Sequence, residues 1–498
     1  MNSADDFQLI EARTGNVKVV MPWRRKTPYM NPHVVFSEQP TVPTLDVSEH
    51  ITAIIGKNGT GKSHLLTSIV QTFVALEELK TGRKTSISNL PLEYLSYRIG
   101  EHMCVVRRLP RRKIEMLLDG EATSAEHLPL PKRVVALTTS PFDKFPVPRP
   151  IRRSLAPDEV SIYCYLGLRD RYNKAAIENL LFRSLNSLFE AGEDEWLRRT
   201  NIGAAFQYLL LKPTLTVVYR LRIPPTVRHA VNRGGDIAPA LSKLRSTQRE
   251  RVIELDKNYL QDLVETALRR EEKGLIRTTA NFEYGGIVDD TFKELQPLRR
   301  IGFLRIQGVE VTQDDGLVSD LKRASSGQLS MISSLLSLAS VISNGSLVLI
   351  DEPELSLHPE WQVDYVGLLV QTFARFRGCH FVLATHSPMV ISELPQRAKI
   401  IALDRPNLPS EHEIAGQSAD YLLAEVFGAP APGNLYVRDR IVRAMRLVAA
   451  GEAKSATFAK ALEDLRKLAT ELEEDDPARE LIDNLEMLAH EAGSEANQ

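Results

Sequence analysis

Short apolar runs and one amphipathic segment organise the first 150 residues. The run Ile51-Thr52-Ala53-Ile54-Ile55 predicts a buried strand, and residues 64–80 predict a helix. Residues 94–118 predict a hairpin that turns near Pro110, and residues 133–137 predict a second buried strand. Apolar residues at spacings of four, four and three mark one buried face of the predicted helix: Leu65, Ile69, Phe73 and Leu76.

The middle of the chain is dominated by helical periodicity. Residues 174–211 and 241–268 predict helices, and residues 215–221 predict a strand between them. Residues 300–312 return to strand character. The segment is too short for two long coiled-coil arms, so it predicts an inserted helical subdomain.

Two further buried strands and a run of helices follow. Residues 347–352 and 381–385 predict strands, and residues 329–342 predict an apolar helix before them. Beyond residue 410 the pattern predicts only helices, at 419–427, 437–450, 457–474 and 478–490. In the third, Phe458, Leu462, Leu465, Leu468 and Leu472 form one stripe, which favours packing within the chain.

These elements predict an α/β fold in four parts. Residues 1–150 and 298–410 would build one head, residues 151–297 an inserted and mainly helical subdomain, and residues 411–498 a C-terminal helical region.

The stretch between the first buried strand and its helix reads Gly-Lys-Asn-Gly-Thr-Gly-Lys-Ser, which matches the phosphate-loop pattern in full. Its backbone N–H groups and the N-terminus of the helix would surround phosphate oxygens. Lys62 would reach the β- and γ-phosphates of a nucleotide, and the Ser63 hydroxyl would bind Mg²⁺. The predicted nucleotide-binding residues are Gly56, Lys57, Asn58, Gly59, Thr60, Gly61, Lys62, Ser63 and His64.

Two other strand ends carry residues that suit the same chemistry. Asp351 and Glu352 end a buried strand, so we expect Asp351 to bind the metal and Glu352 to activate the attacking water. His386 follows the next strand and would contact a γ-phosphate, with Ser387 and Pro388 starting a helix. Tyr29 and Phe36 are candidates to stack on adenine, although packing is the commoner role of such aromatics.

A second anion site is predicted at the start of the apolar helix. Ser325, Ser326, Gly327 and Gln328 place hydroxyls and a glycine at a helix N-terminus. One chain needs such a site only if it faces another nucleotide.

The charge balance of the chain limits how it could bind nucleic acid. The 498 residues contain 62 Lys and Arg against 64 Asp and Glu, so nucleic-acid binding would need a local patch. Residues 107–153 hold 11 basic against 5 acidic residues, whereas residues 451–498 hold 5 against 13. The start of the chain lacks a signal-peptide pattern and no segment predicts a membrane span, so we expect a cytoplasmic protein. The basic residues of interest are Arg107, Arg108, Arg111, Arg112, Lys113, Arg152 and Arg153.

These motifs resemble those of ABC-type ATPases. Ser325-Ser326-Gly327-Gln328 is similar to their signature, with serine in place of the first glycine, and Thr385-His386-Ser387-Pro388 resembles their H-loop. Asp351-Glu352-Pro353-Glu354, followed by Leu-Ser-Leu-His-Pro, resembles the Walker B and D-loop of the RecF/SMC-like branch. The resemblance implies ATP and Mg²⁺ as cofactors and a head-to-head dimer, in which Ser325, Ser326 and Gly327 of one chain close over ATP held by another. The chain departs from the pattern where a Q-loop glutamine is expected, because Ser140-Pro141-Phe142-Asp143 occupies that place.

A finer resemblance is to ATPases of bacterial antiphage defence. The phrases Thr139-Ser-Pro-Phe-Asp-Lys-Phe145 and Phe427-Gly428 to Tyr436-Val-Arg-Asp439 are similar to the PtuA-like group of Septu and some retron systems, and to the ATPase part of overcoming-lysogenisation-defect nucleases. The chain shows no Toprim-like acidic constellation and no HNH-type histidine cluster. The resemblance therefore implies a separate effector, such as an HNH nuclease, with a reverse transcriptase and its nucleic acid as further candidate partners.

Three functions remain open from the sequence. The first is an ATPase switch that gates an effector in defence. The second is a RecF/SMC-like repair ATPase that grips DNA through the basic residues between 107 and 153. The third is an assembly scaffold that binds ATP with little turnover.

Overall fold

A computed structural model describes the following parts of the chain: residues 6–15, 17–18, 29–30, 32–37, 50–82, 90–109, 113–148, 161–169, 184, 202–244, 256–283, 287–288, 294–405, 409, 414, 416–473 and 475–494. The chain divides into two compact units. The first unit comprises Met1–Tyr165, Ser343–Gly367 and Phe376–Gln498, and the second comprises Leu166–Ile342 and Leu368–Arg375.

The strands are β1 (Phe7–Thr14), β2 (Val17–Lys18), β3 (Tyr29–Met30), β4 (His33–Val35), β5 (Ile51–Ile55), β6 (Leu92–Ile99), β7 (His102–Arg108), β8 (Ile114–Leu118), β9 (Glu121–Ala122), β10 (Arg133–Thr138), β11 (Tyr163–Leu166), β12 (Leu211–Leu221), β13 (Leu275–Asn281), β14 (Ile287–Val288), β15 (Leu304–Gln313), β16 (Val318–Asp320), β17 (Ser346–Asp351), β18 (His380–Ala384) and β19 (Lys399–Ala402).

The helices are α1 (Lys62–Lys80), α2 (Ile202–Tyr208), α3 (Pro225–Asn232), α4 (Ala238–Leu241), α5 (Lys257–Arg269), α6 (Gln296–Arg300), α7 (Ser326–Ala339), α8 (Pro359–Phe373), α9 (Pro388–Ser392), α10 (Ala419–Tyr421), α11 (Leu435–Ala449), α12 (Ala456–Ala469) and α13 (Pro477–Ser494). A 3₁₀ turn spans Leu321–Arg323, and a π-helix spans Leu422–Val426.

A six-stranded sheet in the order β11-β10-β17-β18-β5-β19 forms the centre of the first unit. Strands β10, β17, β18, β5 and β19 pair in parallel, and β5, β17 and β18 are buried along their whole length. Parallel strands covered on both faces need continuous apolar sequence, which explains why the motif-bearing strands were recognisable. Their carboxyl ends meet at one edge of the sheet, where the functional segments begin.

A second sheet of the first unit, in the order β4-β1-β6-β7-β8-β9, is antiparallel. The predicted hairpin across Pro110 corresponds to β7 and β8, and β6 adds a further hairpin that turns at Gly100 and Glu101.

Helix α1 packs between the two sheets of the first unit. It contacts β1 and β6 of the antiparallel sheet, and β10, β17 and β18 of the parallel sheet. The four predicted core residues of α1 are buried, and Leu66 and Val70 are buried as well. A helix covered on two sides needs apolar residues around more of its circumference than the single predicted face.

The second unit contains an antiparallel sheet in the order β14-β13-β12-β15-β16. The sequence predicted two strands in this region, which correspond to β12 and β15, and it missed β13, β14 and β16. Of the helix predicted over residues 241–268, the structure has α4 ending at Leu241 and α5 covering Lys257–Arg269, whereas residues 245–255 lie outside the described residues. Most of the helical pattern at 174–211 lies outside the described residues.

The C-terminal helices α11, α12 and α13 share one apolar core within the first unit. The predicted stripe of α12 is confirmed as packing within the chain, because Phe458, Leu462, Leu465, Leu468 and Leu472 are all buried in this core together with Ile441 and Ile482.

The predicted α/β class and the C-terminal helical region are confirmed. The insertion, which was predicted to be mainly helical, also contains strands β12, β13 and β14. The phosphate-loop strand β5 and the acidic strand β17 lie on either side of β18 and run parallel to it, so their carboxyl ends lie at the same edge of the sheet. The four domain boundaries remain predictions; the two compact units separate the chain at other residues. No helix in the described parts of the chain is long and apolar enough to cross a membrane.

We expect Phe73→Ala to lower the free energy of unfolding by about 3–5 kcal/mol, because its ring is fully buried against Phe7 and Tyr97. Phe142→Ala is the matched control: its side chain is 88% exposed, and the expected change is about 0.5 kcal/mol or less. Urea unfolding followed by circular dichroism measures both. Equal effects of the two substitutions would contradict the packing of α1 between two sheets.

Candidate nucleotide-binding site

The loop between β5 and α1 has the backbone that its glycines allow. Gly59 and Gly61 adopt φ values of +85° and +99°, which side chains with a Cβ rarely reach. Gly61 is the residue that precedes the first turn of α1, so the N–H groups of that turn open toward the loop. This arrangement can accept an anion at the helix N-terminus.

The ammonium group of Lys62 lies over this loop. Its Nζ donates to the carbonyl oxygen of Gly56 at 2.6 Å and lies 3.3 Å from Nδ1 of His386. Burial lowers the pKa of Lys62 to about 8, although nearby carboxylates, Asp351 first, oppose this shift. A phosphate at this point would supply the negative charge that favours the charged form of the lysine.

Ser63 and Asp351 meet at the edge of the sheet. The Ser63 hydroxyl donates to Oδ1 of Asp351 at 3.0 Å, although the two residues are far apart in sequence. Asp351 is only 4% exposed, and burial raises its pKa to about 7. A hydroxyl and a buried carboxylate together form the type of oxygen ligand pair that Mg²⁺ uses beside nucleotide phosphates.

Glu352 has an unusual backbone conformation. Its φ of +51° lies in the left-handed region, which is rare for residues other than glycine. The N–H of Glu352 donates to the carbonyl oxygen of Ala384 on the neighbouring strand at 2.9 Å, which holds this turn against β18. Local strain of this kind concentrates at functional sites.

His386 is held through its backbone by Glu354. The N–H of His386 donates to Oε1 of Glu354 at 2.6 Å, and the Thr385 hydroxyl donates to Oε2 at 2.9 Å. Burial raises the pKa of Glu354, whereas burial and then the charge of Lys62 lower the pKa of His386 to about 4. The imidazole of His386 is therefore neutral near pH 7 and can both donate and accept a hydrogen bond.

One cavity of about 850 Å³ collects these groups, and all of its lining residues belong to the first unit. Its volume is in the range of ligand pockets. The lining comprises nine of the predicted site residues: Asn58, Gly59, Gly61, Lys62, Ser63, His64, Asp351, Glu352 and His386. Gly56, Lys57 and Thr60 belong to the same loop without lining the cavity.

The turn after β10 also lines the cavity. Thr138 and Ser140 accept backbone N–H groups of this turn, and Asp143 accepts the Tyr165 hydroxyl at 2.8 Å. These bonds fix the segment Ser140-Pro141-Phe142-Asp143, at which the resemblance led us to expect a glutamine. The additional lining residues are Pro32, Thr139, Ser140, Pro141, Phe142, Asp143, Lys144, Leu355 and Ser356.

The predicted signature residues lie in the second unit, at the start of α7. Ser325 and Gln328 form a capping box, in which each side chain accepts the backbone N–H of the other residue at 3.2 Å. Ser325 and Ser326 are exposed, whereas Gly327 is buried. The helix N-terminus predicted from the sequence is therefore present, and its two serines are accessible.

Two other sequence interpretations have different outcomes. Phe36 is only 4% exposed and packs in the core, with its ring 5.9 Å from that of His380, so it is not available to stack on a base. The packing role that the sequence favoured for Phe36 is therefore confirmed, and its side chain, directly after β4, lies in the core. The side chain of Tyr29 lies outside the described residues.

The basic surface between residues 107 and 153 is partly neutralised. Arg107 forms an ion pair with Glu115, and Arg108 forms one with Glu93 at 3.0 Å. Lys113 is exposed. The remaining predicted basic residues, Arg111, Arg112, Arg152 and Arg153, lie outside the described residues.

Sequence comparison matches parts of the chain to known proteins. The family described as "AAA domain, putative AbiEii toxin, Type IV TA system" matches residues 225–392, a span that includes the signature, acidic and histidine motifs. Protein ea59 of Escherichia phage lambda is 31% identical over 121 residues, which cover 23% of this chain and 22% of that protein. The Retron Vc95 probable ATPase of Vibrio cholerae serotype O1 biovar El Tor is 41% identical over 66 residues, which cover 13% and 12%. The chain thus spans less than a quarter of the length of these curated relatives.

Structural comparison finds heads of SMC proteins. The SMC head domain from Thermotoga maritima has a TM-score of 0.33 and 10% identity, and covers 79% of this chain and 94% of its own. The Smc head domain with an extended coiled coil derived from Pyrococcus furiosus, bound to the C-terminal domain of ScpA, has a TM-score of 0.31 and 15% identity, with 80% and 93% covered. TM-scores this low carry no argument about this chain, and the site rests on its own geometry.

We expect the stability of the chain without nucleotide and Mg²⁺ to depend on pH through Asp351. A carboxyl with a raised folded-state pKa retains a proton that the unfolded chain releases, so the free energy of unfolding falls as pH rises from 3.8 to about 7. Asp351→Asn has no such carboxyl, so its free energy of unfolding should not fall in this way. At about 1.36 kcal/mol per pKa unit, it should become a few kcal/mol more stable relative to the parent as pH rises across that window. Urea unfolding in EDTA at several pH values measures the difference. Parallel pH curves for the two proteins would contradict the burial of this carboxyl.

Proposed function

We propose that this chain binds and hydrolyses ATP with Mg²⁺ at the 850 Å³ cavity. The supporting observation is that Lys62, Ser63, Asp351, Glu352 and His386 come from three distant segments and line this one cavity. Each has a distinct use in phosphoryl transfer to water, and electrostatic stabilisation with correct positioning accounts for most of the catalysis in such reactions.

The residues present fit a Mg²⁺ ion. Ser63 and Asp351 would hold it, because a hard cation prefers oxygen ligands and usually keeps several waters. When bound, the ion would neutralise charge on the β- and γ-phosphates. Its charge would also stabilise the ionised form of Asp351, which burial otherwise disfavours.

The other side chains would act directly on the reacting groups. Lys62 would contact the β- and γ-phosphates, and Glu352 would orient the attacking water and accept its proton. His386, which is neutral near pH 7, would hydrogen-bond the γ-phosphate. Glu354 would act as a positioning residue because it holds the backbone of His386.

The proposal extends to a head-to-head dimer. Ser325 and Ser326 are exposed at the N-terminus of α7, which is suited to an anion, and Gly327 follows them in the motif that resembles the ABC signature. We propose that these residues, with Gln328, close over ATP held by a second copy of the chain. ATP binding would then assemble the dimer and hydrolysis would release it.

We assign this switch to antiphage defence, where it would control a separate effector. The matched segment of a retron ATPase and the family described as a putative AbiEii toxin support this role. The PtuA-like subtype and an HNH nuclease as effector rest on the resemblance of sequence phrases alone. The DNA-binding alternative is less favoured, because Arg107 and Arg108 are each paired with a glutamate.

We expect Glu352→Gln to keep ATP affinity and to lower kcat by about a hundredfold or more, as the loss of a general base does. It should also accumulate ATP-bound dimers, which size-exclusion chromatography with light scattering detects. Phosphate release from the parent tests the scaffold alternative, which predicts negligible turnover.

Lys62→Ala is the control for that experiment, because it should abolish nucleotide binding rather than slow a later step. ATP turnover that is unchanged in Glu352→Gln would remove this residue from the role of base. Nucleotide binding that persists in Lys62→Ala would contradict the placement of the site.

A further inference from the structure

Four residues of the first unit form a ring beside the phosphate loop, which is closed by the backbone N–H of Lys57 and by the peptide bond between Asp404 and Arg405. They are Lys57 of the loop, Asp404 and Arg405 after β19, and Glu471 after α12. The sequence did not predict contacts among these four residues, and of the four only Lys57 belongs to a motif identified in the sequence. The ring therefore connects the nucleotide site to the C-terminal helices by contacts that no motif records.

Asp404 holds the backbone of the loop. Its Oδ2 accepts the N–H of Lys57 at 2.9 Å, and a Cβ placed on Gly56 would lie 3.1 Å from its Oδ1. Strand pairing brings Asp404 close to the loop, because Ala402 of β19 pairs with Ile55 of β5 and the two segments continue side by side beyond their strands. A carboxylate that accepts a backbone N–H forms one of the stronger kinds of hydrogen bond.

Glu471 bridges two cations with its two oxygens. Its Oε2 accepts a hydrogen bond from Nζ of Lys57 at 3.3 Å, and its Oε1 lies 2.6 Å from Nη2 of Arg405. The second contact is electrostatic, since it lacks the alignment of a hydrogen bond. Glu471 lies two residues after α12, so its position depends on the apolar core that α12 shares with α11 and α13.

A glycine of the C-terminal region makes room for Arg405. A Cβ on Gly428 would overlap the guanidinium group, and Gly428 has a φ of +57°. Gly428 follows the π-helix Leu422–Val426, and such helices often occur at functional positions. The C-terminal region therefore holds Arg405 both by this close approach and through Glu471.

The ring is better suited to signalling than to stability. Lys57 is largely exposed and Glu471 is partly exposed, and ion pairs of this kind add little to folding stability. The same contacts nevertheless fix the second residue of a loop whose conformation decides how its N–H groups meet a phosphate. A link of low energy at such a point can be broken by modest displacement of the helices.

We propose that Asp404 and Glu471 are positioning residues of the phosphate loop, and that the C-terminal helices modulate nucleotide affinity through them. This inference rests on the proposed function, since it takes the ligand of the loop to be ATP. A partner that displaces α12 would withdraw Glu471 from Lys57 and loosen the loop. A loosened loop binds more weakly because it must be ordered when the nucleotide binds.

The test compares variants of the full chain. We expect Asp404→Ala to weaken binding of a non-hydrolysable fluorescent ATP analogue by about tenfold, and Glu471→Gln by up to about fivefold. Asp404→Asn retains an oxygen that can accept the N–H of Lys57 and should restore most of the affinity. Glu463→Gln is the matched control, because Glu463 lies on α12 and pairs with exposed Lys467 across one turn.

Two further readouts separate positioning from a general loss of structure. In both ring variants KM should rise while kcat stays within roughly twofold, as expected when the change affects binding rather than chemistry. Hydrogen exchange of residues 56–62, measured without nucleotide, should accelerate in Asp404→Ala and Glu471→Gln but not in Glu463→Gln. The effect of Glu471→Gln should shrink at about 0.5 M salt, which screens exposed charges.

Three outcomes would overturn the inference. Unchanged affinity and exchange in both ring variants would overturn it while leaving ATP binding by the parent intact. An equal effect of Glu463→Gln would assign the change to helix charge in general. A parent that binds no nucleotide would instead refute the proposed function, and the inference would fall with it.

Discussion

Burial of helix α1 between two sheets is the constraint on which the rest of the structure depends. Apolar side chains on two sides of the helix pack against the antiparallel sheet and the parallel sheet, and Phe73 contacts both Phe7 and Tyr97. This packing fixes the first turn of α1 against the ends of β17 and β18. Lys62 and Ser63 are thereby brought to Asp351 and His386, which lie some 300 residues away in sequence.

Burial also determines the electrostatics of the site, because it shifts the pKa values of its ionisable side chains. Lys62 and Asp351 are each about 4% exposed. Burial lowers the pKa of Lys62 and raises the pKa of Asp351, so it favours the neutral form of both side chains. The burial of Glu354 is partly offset by the two hydrogen bonds that its carboxylate accepts from Thr385 and His386. Such a site stores an unfavourable desolvation energy that ligand charges can relieve. Nucleotide phosphates and a divalent cation are ligands of the matching charge.

The ring that includes Lys57 connects the phosphate loop to parts of the first unit outside the cavity. Asp404 reaches the loop because β19 pairs with β5, and Glu471 reaches it because the C-terminal helices pack into their own core. The tightly packed parts of the molecule thus hold a weak and partly exposed ionic link at the edge of the phosphate loop. Under the proposal above, a change in helix position alters the loop through this link without unfolding the first unit.

The sequence by itself determined the local parts of this site. Residues 56–63, Asp351 at the end of β17 with Glu352 beside it, and His386 beyond β18 were predictable. Buried parallel strands leave continuous apolar runs, and the loop needs glycines at fixed places. The buried face of α1 and the stripe of α12 followed from helical periodicity. Only the tertiary structure decided the contacts of Glu354, Asp404 and Glu471 with the site. It also decided that Phe36 is buried in the core. The ion pairs that neutralise Arg107 and Arg108 likewise became visible only in the structure. Hydrogen bonds and ion pairs between distant segments impose no period and no spacing on the chain, so they become visible only when strand pairing and helix packing bring those segments together.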